Sequence, residues 1–234
     1  LSMMDDFRRE GLIITLDGPA GSGKSSTAKA VAKRLAFRHL DSGALYRALT
    51  LGLLRSGVLE SDWEGLSEQN FANLDIDLQT TETGFQVLIG GEAVDSELRT
   101  ARVTDNVSFV SSLAACRESI LELQRKAGKD GRLVADGRDM GTVIFPDAAL
   151  KIYLVADLEE RAIRRLREVG EDSPDDLRLA QQARALDTRD QSDSQRAISP
   201  LKMAEDAIEL DTTRLAFDEQ VQAIVDLAHR LTLF

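Results

Sequence analysis

The stretch Gly11–Ser26 reads GLIITLDGPAGSGKSS and decides the fold. Its first part, Gly11–Asp17, is a short apolar run rich in β-branched isoleucine, and such a run predicts a buried strand. A glycine-rich turn follows, and apolar residues then recur at helical spacing, which predicts a helix over Lys24–Arg38. The apolar face of that helix consists of Ala28, Val31, Ala32 and Leu35. The order of strand, glycine-rich loop and helix is typical of a phosphate-binding unit.

The loop Gly18–Ser25 satisfies the pattern GxxxxGK[ST], the P-loop. Its glycines permit a tight turn that presents backbone N–H groups to phosphate oxygens, and the following helix adds the positive end of its dipole. We expect Lys24 to reach the β- and γ-phosphates of ATP and Ser25 to ligate Mg²⁺. A plain glycine-rich turn is the alternative, and the flanking strand and helix argue against it. The residues expected to bind ATP are Gly18, Pro19, Ala20, Gly21, Ser22, Gly23, Lys24, Ser25 and Ser26.

Two further apolar runs, Arg132–Ala135 and Leu150–Val155, lack polar alternation, as strands buried on both faces of a parallel sheet do. Helical stretches separate them, and a last helix is expected over Phe217–Leu231. The sequence therefore predicts an α/β doubly wound fold, a single domain over residues 1–234, in which helices flank a parallel sheet. Ligands are expected at the carboxyl ends of the strands.

Between Asp75 and Val94 polar and apolar residues alternate, and the dipeptide Gly90-Gly91 interrupts the alternation. This pattern predicts an antiparallel hairpin with Phe85, Val87 and Ile89 on one face. An antiparallel piece within a parallel α/β chain indicates an inserted subdomain, which we expect to cover residues 65–100.

A helix is predicted over Asp157–Val169, where Asp157 and Glu160 form a capping signature. The segment that follows, Glu171–Pro200, is highly charged and poor in large apolar residues. Such a segment buries little surface, and we predict a mobile lid over residues 170–198.

The 234 residues include 29 basic and 40 acidic ones, a net charge of −11, and 43% are hydrophobic. Hydrophobic residues at this level can supply a core, whereas the negative charge would repel DNA and RNA. Any phosphate must then be held by a local site. Cys116 is the one cysteine, which excludes an internal disulfide and fits a reducing compartment. Residues 1–6 lack the pattern of a signal peptide, and no run is long enough for a membrane span, so we expect a soluble, cytoplasmic protein.

A P-loop identifies the phosphate donor and leaves the acceptor open. An alcohol acceptor needs a carboxylate to take its proton, whereas a nucleoside monophosphate is already ionised and needs arginines that offset charge repulsion. Arginines occur in DSGALYR (Asp41–Arg47), in DGRDMG (Asp136–Gly141) after a predicted strand, and in RDQSDSQR (Arg189–Arg196). A solvated charged helix is the alternative interpretation of the last segment.

At these residues the chain resembles the bacterial-type cytidylate kinases. The segments GPAGSGKSS, LDSGALYR, ADGRDMGTVIFPDA and RDQSDSQRAISPLK occur in the order of that family, from about Leu12 to the last helix. The resemblance implies direct in-line transfer of the γ-phosphate of ATP to CMP or dCMP, giving CDP or dCDP and ADP, with Mg²⁺ required. It also implies a monomer in which the insert, residues 65–100, binds the monophosphate.

The resemblance further implies roles for single residues. Ser108, Arg117 and Asp139 would face the cytosine, Asp193 the sugar, and Ser25 the metal. Asp136 stands where a Walker-B carboxylate would, and could contact Mg²⁺ directly or through water. The catalytic residues implied are Lys24, Arg47, Arg138, Arg189 and Arg196. The substrate-binding residues implied are Ser42, Arg47, Ser108, Arg117, Arg138, Asp139, Arg189, Asp193 and Arg196.

Three other functions fit a P-loop: another monophosphate kinase, a kinase of small alcohols, or a nucleotide-dependent switch. An alcohol kinase should not need the four arginines at 47, 138, 189 and 196 together, and a switch would bind nucleotide without acceptor-dependent turnover. Cys116, His39 and His229 have no partners at metal-ligand spacing and are interpreted as packing or surface residues, as is Trp63 in the insert.

Overall fold

A computed structural model describes residues 11–232, so the expectation for residues 1–6 lies outside the described part of the chain. The core is a parallel sheet of five strands, β1 (Ile13–Asp17), β2 (Arg38–Asp41), β6 (Leu133–Asp136), β7 (Leu150–Val155) and β8 (Ile208–Asp211). Their order in the sheet is β2-β6-β1-β7-β8. No helix within residues 11–232 is long and apolar enough to cross a membrane.

Helices cover both faces of this sheet. On one face Ile14, Leu16 and Ile152 pack against the first and last helices, and on the other Leu133 and Ala135 join a larger core. The α-helices are α1 (Lys24–Leu35), α2 (Ser42–Ser56), α3 (Glu68–Ala72), α4 (Ala101–Val110), α5 (Ala114–Ala127), α6 (Leu158–Glu168), α7 (Asp176–Ser194) and α8 (Phe217–Thr232). The predicted α/β fold is confirmed.

The strand register brings three carboxylates to one edge of the sheet. Asp17 ends β1 opposite Tyr153 of β7, and Asp41 ends β2 opposite Asp136, the last residue of β6. Because all strands run in parallel, their carboxyl ends meet where the P-loop begins. The topology thereby places acidic side chains beside a phosphate-binding loop.

Two strands and one helix end differ from the sequence predictions. Helix α1 ends at Leu35 rather than Arg38, because Ala36 takes a left-handed conformation (φ 55°) that breaks the helix. The chain then turns into β2, which pairs with β6 from Arg38 onward. Neither β2 nor β8 was predicted, since each has only four residues and mixes polar with apolar positions.

The predicted antiparallel hairpin is confirmed within a three-stranded sheet of β3 (Ile76–Thr80), β4 (Phe85–Ile89) and β5 (Glu92–Ala93). Phe71 and Trp63 are buried near it, and Trp63 lies in a 3₁₀ turn, as expected of a packing residue. The hairpin reaches the main sheet through the His39 N–H, which donates to the Thr83 carbonyl at 3.1 Å.

The helix predicted over Asp157–Val169 is observed as α6, but its predicted capping box is wrong. Asp157 makes no side-chain cap hydrogen bond, and Glu160 instead accepts from Arg164 at 2.9 Å, a pairing one turn along the helix. The charged segment after it forms α7, which the Asp175 side chain caps. That this segment moves as a lid stays a prediction.

We expect Gly18→Ala to lower the free energy of unfolding by roughly 2–4 kcal/mol. Gly18 has a φ of +147°, and a Cβ there would lie 2.1 Å from the Leu154 carbonyl oxygen of β7. The P-loop start would have to move away from the sheet. Urea denaturation followed by circular dichroism measures the change. Gly65→Ala is the control, because its Cβ meets nothing within 4 Å. Equal midpoints for the two variants would contradict this packing role.

Candidate active site

A cavity of about 600 Å³ opens at the carboxyl ends of β1, β2 and β6. The P-loop, the start of α2, and parts of α6 and α7 surround it. Its cationic lining residues are Lys24, Arg47, Arg99, Arg117, Arg138, Arg165, Arg189 and Arg196, and its acidic ones are Asp41, Asp136, Asp139, Glu168 and Asp193. Eight cationic groups in one cavity of a chain with net charge −11 point to an anionic ligand.

Most of the sequence-predicted site residues come together in this cavity. Those that line it are Ala20, Gly21, Gly23, Lys24, Ser25, Ser26, Ser42, Arg47, Arg117, Arg138, Asp139, Arg189, Asp193 and Arg196. Those that do not are Gly18, Pro19, Ser22 and Ser108. Ser111, three residues after Ser108, does line the cavity, which is a shift of about one helical turn from the predicted position.

The P-loop buries its lysine beside oxygen atoms of the loop itself. Gly21 and Gly23 adopt positive φ angles of 74° and 85°, so the loop can curl around an anion. The Lys24 ammonium donates to the Pro19 carbonyl at 2.5 Å and lies 3.3 Å from the Ser22 hydroxyl. Burial, together with the nearby Arg138, holds the pKa of Lys24 well below its usual range. An anion bound in the loop would stabilise the charged lysine.

Ser25 and Asp136 meet at the mouth of the P-loop. The Ser25 hydroxyl donates to one Asp136 carboxylate oxygen at 2.5 Å, and the His39 Nε2 lies 2.7 Å from the other. His39 does not line the cavity, and its interpretation as a packing or surface residue stays a prediction. Burial raises the pKa of nearby Asp41, and the charge of Asp136 adds to this effect. His39 sits in a strand too short to recognise, so no sequence signal linked it to the site.

The arginines are held in place mainly by protein oxygens. Arg138 donates to Asp193 at 2.8 Å, and Arg196 donates to Asp193 and to the Ser111 hydroxyl. Arg47 donates to the Leu98 carbonyl at 3.1 Å and to Thr104 at 2.9 Å. The guanidinium groups are thus oriented toward one region by hydrogen bonds.

Arg189 and Arg196 each have a buried Nε without a hydrogen-bond partner. Burial and the neighbouring Arg138 lower the pKa of Arg189 to about 10. Burial and the neighbouring Arg99 lower the pKa of Arg47 to about 10 in the same way. A buried donor without an acceptor is costly, so an incoming anion would satisfy Arg189.

At the other end of the cavity Arg117 forms a buried ion pair with Asp139. Arg117 also donates to the Ser111 carbonyl at 2.9 Å, and its guanidinium lies 5.0 Å from the centre of the Tyr46 ring. The Ser42 hydroxyl donates to Gln124 at 2.7 Å. This end offers planar, paired donors and acceptors, which suit a flat polar ring.

Asp17 ties the P-loop strand to the loop that carries Asp139. Its two carboxylate oxygens accept from the Met140 N–H at 2.9 Å and the Gly141 N–H at 2.7 Å. Burial raises the pKa of Asp17 to about 6. Sequence reasoning assigned Asp17 to a strand and missed this contact, which joins residues 123 and 124 positions apart.

One other contact escaped the sequence analysis. The Asp190 carboxylate of α7 accepts from the Ala20 N–H of the P-loop at 2.8 Å and also pairs with Arg161 of α6. Asp190 stands inside a segment already singled out for its arginines, but nothing in that segment indicated its partner.

This chain is similar to known proteins along most of its length. A family model described as cytidylate kinase matches residues 14–230. Cytidylate kinase from Chlorobaculum tepidum is 43% identical over 237 residues, covering 98% of this chain and 97% of its own. Cytidylate kinase from Exiguobacterium sibiricum is 46% identical, covering 92% of this chain and 96% of its own.

Among solved structures, shikimate kinase from Acinetobacter baumannii in complex with shikimate is similar over 97% of both chains, with 14% identity and a TM-score of 0.45. The extent of the family match and the identity to the two relatives show that this chain belongs to the cytidylate kinase family.

Proposed function

We propose that this chain transfers the γ-phosphate of ATP to CMP or dCMP, giving CDP or dCDP and ADP, by direct in-line transfer. The observation that carries the proposal is one continuous cavity with three parts. It contains a P-loop at one end, clustered arginines in the middle, and the Arg117–Asp139 pair at the other end. The donor and acceptor phosphates can then meet beside the arginines, where the attacking oxygen, the transferred phosphorus and the leaving oxygen must lie in line.

The donor side follows from the P-loop. Backbone N–H groups of the loop and the start of α1 would hold the ATP phosphates, and Lys24 would neutralise charge on the β- and γ-phosphates. Ser25 and Asp136, which a hydrogen bond joins, both carry hard oxygens, the ligand type that Mg²⁺ prefers. No group of three or more His, Cys, Asp or Glu residues within 11–232 could hold a metal, which fits an ion held chiefly by phosphates and water. When bound, Mg²⁺ would offset charge on the phosphates.

The middle of the cavity suits two phosphates that must approach each other. The acceptor phosphate is mostly ionised at neutral pH and is itself the nucleophile, so a general base is not required. Arg47 and Arg138 would hold it, while Arg189 and Arg196 would bridge toward the transferred group. Their forks offset the repulsion between the two anions and fix the line of attack.

The base would sit at the end of the cavity formed by Arg117 and Asp139. A carboxylate accepts from the exocyclic amine of cytosine, and a guanidinium donates to its ring acceptors. Uracil carries a carbonyl in place of that amine and would face Asp139 with an acceptor. Ser108 stays part of the proposed base contact, Ser42 of the proposed substrate site, and Asp193 of the proposed sugar contact.

Closure of residues 170–198 over both nucleotides would exclude water and limit wasteful hydrolysis of ATP. The insert, residues 65–100, would close over the monophosphate from the opposite side. We further propose that the chain works as a monomer in the cytoplasm, in pyrimidine nucleotide metabolism. Its one cysteine, buried at position 116, fits a reducing compartment.

Purified protein with ATP and Mg²⁺ is expected to release ADP in the presence of CMP or dCMP and much more slowly with UMP, AMP or GMP. A coupled assay of ADP formation, with a no-acceptor control, measures this. A preference for another monophosphate would contradict the proposed contacts with cytosine, but it would leave the proposed phosphoryl-transfer mechanism intact. ADP release that is independent of every acceptor would overturn the proposed function.

Arg189→Ala is expected to lower kcat by about 10²–10³-fold, because it removes a buried cation that meets charge at the transferring phosphate. Steady-state kinetics with varied CMP and ATP measure the loss. Arg184→Ala is the matched control, since Arg184 lies exposed on the same helix, outside the cavity. A kcat for Arg189→Ala within twofold of that for Arg184→Ala would exclude the proposed role.

Asp139→Asn is expected to reduce the preference for CMP over UMP, measured as the ratio of kcat/KM values, by about tenfold or more. The asparagine amide can donate to the uracil carbonyl, whereas the carboxylate cannot. Glu168→Gln, at another acidic residue of the cavity lining, serves as the control and should leave the ratio unchanged. An unaltered ratio in Asp139→Asn would remove Asp139 from the base contact.

A further inference from the structure

Helix α7 meets the rest of the chain mainly through α6, with lighter contact to α4. Leu186 of α7, Ala162 of α6 and Ala20 of the P-loop form a small apolar cluster. Close approach at this point depends on Gly21, where a Cβ would lie 3.2 Å from the Arg161 carbonyl oxygen and 3.4 Å from Leu186. The P-loop is therefore in direct contact with both helices.

A charged contact lies beside this apolar cluster. Asp190 accepts from the Ala20 N–H at 2.8 Å and pairs through its other oxygen with Arg161. Arg161 in turn donates to the Ala20 carbonyl at 2.9 Å and to the Ala156 carbonyl at 3.0 Å. The side chains of Asp190 and Arg161 are 15% and 10% exposed, so the contact is largely shielded from water.

The two charged side chains of this contact lie outside the nucleotide cavity, although Ala20 lines it. Neither Asp190 nor Arg161 lines the cavity, whereas the bonds of Asp193 to Arg138 and Arg196 lie inside it. On the proposed function those two guanidinium groups turn toward the acceptor, so the Asp193 contacts rearrange when substrate binds. Asp190 takes the N–H of Ala20, so on this proposal the other N–H groups of the P-loop hold the ATP phosphates, and the Asp190 contact persists when substrate binds.

We propose that Asp190 and Arg161 form a latch that docks α7 onto the Ala20 peptide of the P-loop. The latch holds Arg189, the residue adjacent to Asp190, over the donor phosphates, so Asp190 is a positioning residue for phosphoryl transfer. The positioning of Arg189 by the latch rests on the proposed function, whereas the docking of α7 onto the P-loop does not. The latch connects α7 directly to the backbone of the P-loop, and no substrate atom takes part in this connection.

The direct test is amide hydrogen exchange of the nucleotide-free protein, followed by NMR. Asp190→Asn keeps the size of the side chain and removes the charge that pairs with Arg161. Exchange at the Ala20 amide is expected to accelerate at least tenfold, because its acceptor is no longer held. Asp187→Asn is the matched control, since Asp187 lies exposed on α7 and accepts from Gln191 at 2.8 Å. It should leave Ala20 exchange within twofold of the parent chain.

The kinetic test separates positioning from mere structure. In Asp190→Asn, the KM for ATP is expected to rise at least fivefold. The ratio of acceptor-independent hydrolysis to transfer should also rise, because a loosely docked lid admits water. Arg161→Lys gives a second variant, since one ammonium group cannot replace both the Nη1 that donates to Asp190 and to the Ala20 carbonyl and the Nε that donates to the Ala156 carbonyl. Circular dichroism confirms that each variant is folded.

Ala20 exchange in Asp190→Asn equal to that in Asp187→Asn would overturn the latch. Faster exchange with unchanged KM and hydrolysis ratio would overturn the positioning role. Absence of CMP-dependent turnover in the parent chain would instead overturn the proposed function, and the exchange experiment would still decide the docking.

Discussion

The structure depends on holding several guanidinium groups close together in one cavity. Eight cationic side chains share a cavity with five carboxylates, in a chain whose overall charge is strongly negative. Burial and mutual repulsion lower the pKa values of Arg47 and Arg189. Although burial acts to raise it, the pKa of Asp193 is held below its usual range by Arg138 and Arg196. Packing these cations together is electrostatically unfavourable, and an anionic ligand such as a phosphate would offset their repulsion.

The scaffold meets this requirement by fixing both ends of the cavity to the same sheet. β1 leads directly into the P-loop, and Asp17 at its end holds the loop that carries Asp139. Asp136 ends the neighbouring strand and reaches Ser25 at the start of α1. The groups proposed to bind the donor and the acceptor are therefore carried by neighbouring strand ends of one sheet. They keep their spacing even if the peripheral segments move.

The sequence predicted the parts of this fold in which local pattern and local structure agree. The P-loop, the buried strands β6 and β7 and the hairpin were all readable, because period and composition report directly on burial and turn geometry. Strands β2 and β8 were not predicted, because four residues of mixed polarity are too few to show a hydrophobic alternation. The predicted capping box at Asp157 is wrong, and Glu160 instead accepts a hydrogen bond from Arg164.

The contacts within the site were predictable only in part, since many of them join distant positions. The arginine-rich segments were found, because charge repulsion between phosphates demands them. Asp190 and Ala20, by contrast, are 170 positions apart, and no pattern within either segment reveals the pair. His39 bonds a carboxylate 97 positions away in the same manner. Such partners follow from strand order and helix packing, which residue pattern constrains only loosely.

The inert cysteine of this fold has a practical consequence for spectroscopy. Cys116 is fully buried, and burial raises the pKa of its thiol to about 12, so it reacts poorly with maleimides. A cysteine introduced on the exposed face of α7 would then be the preferred attachment point for a dye. Trp63, the one tryptophan, is fixed in the core beside the antiparallel sheet. The chain therefore already contains a stationary fluorescence donor against which the motion of a labelled helix can be followed.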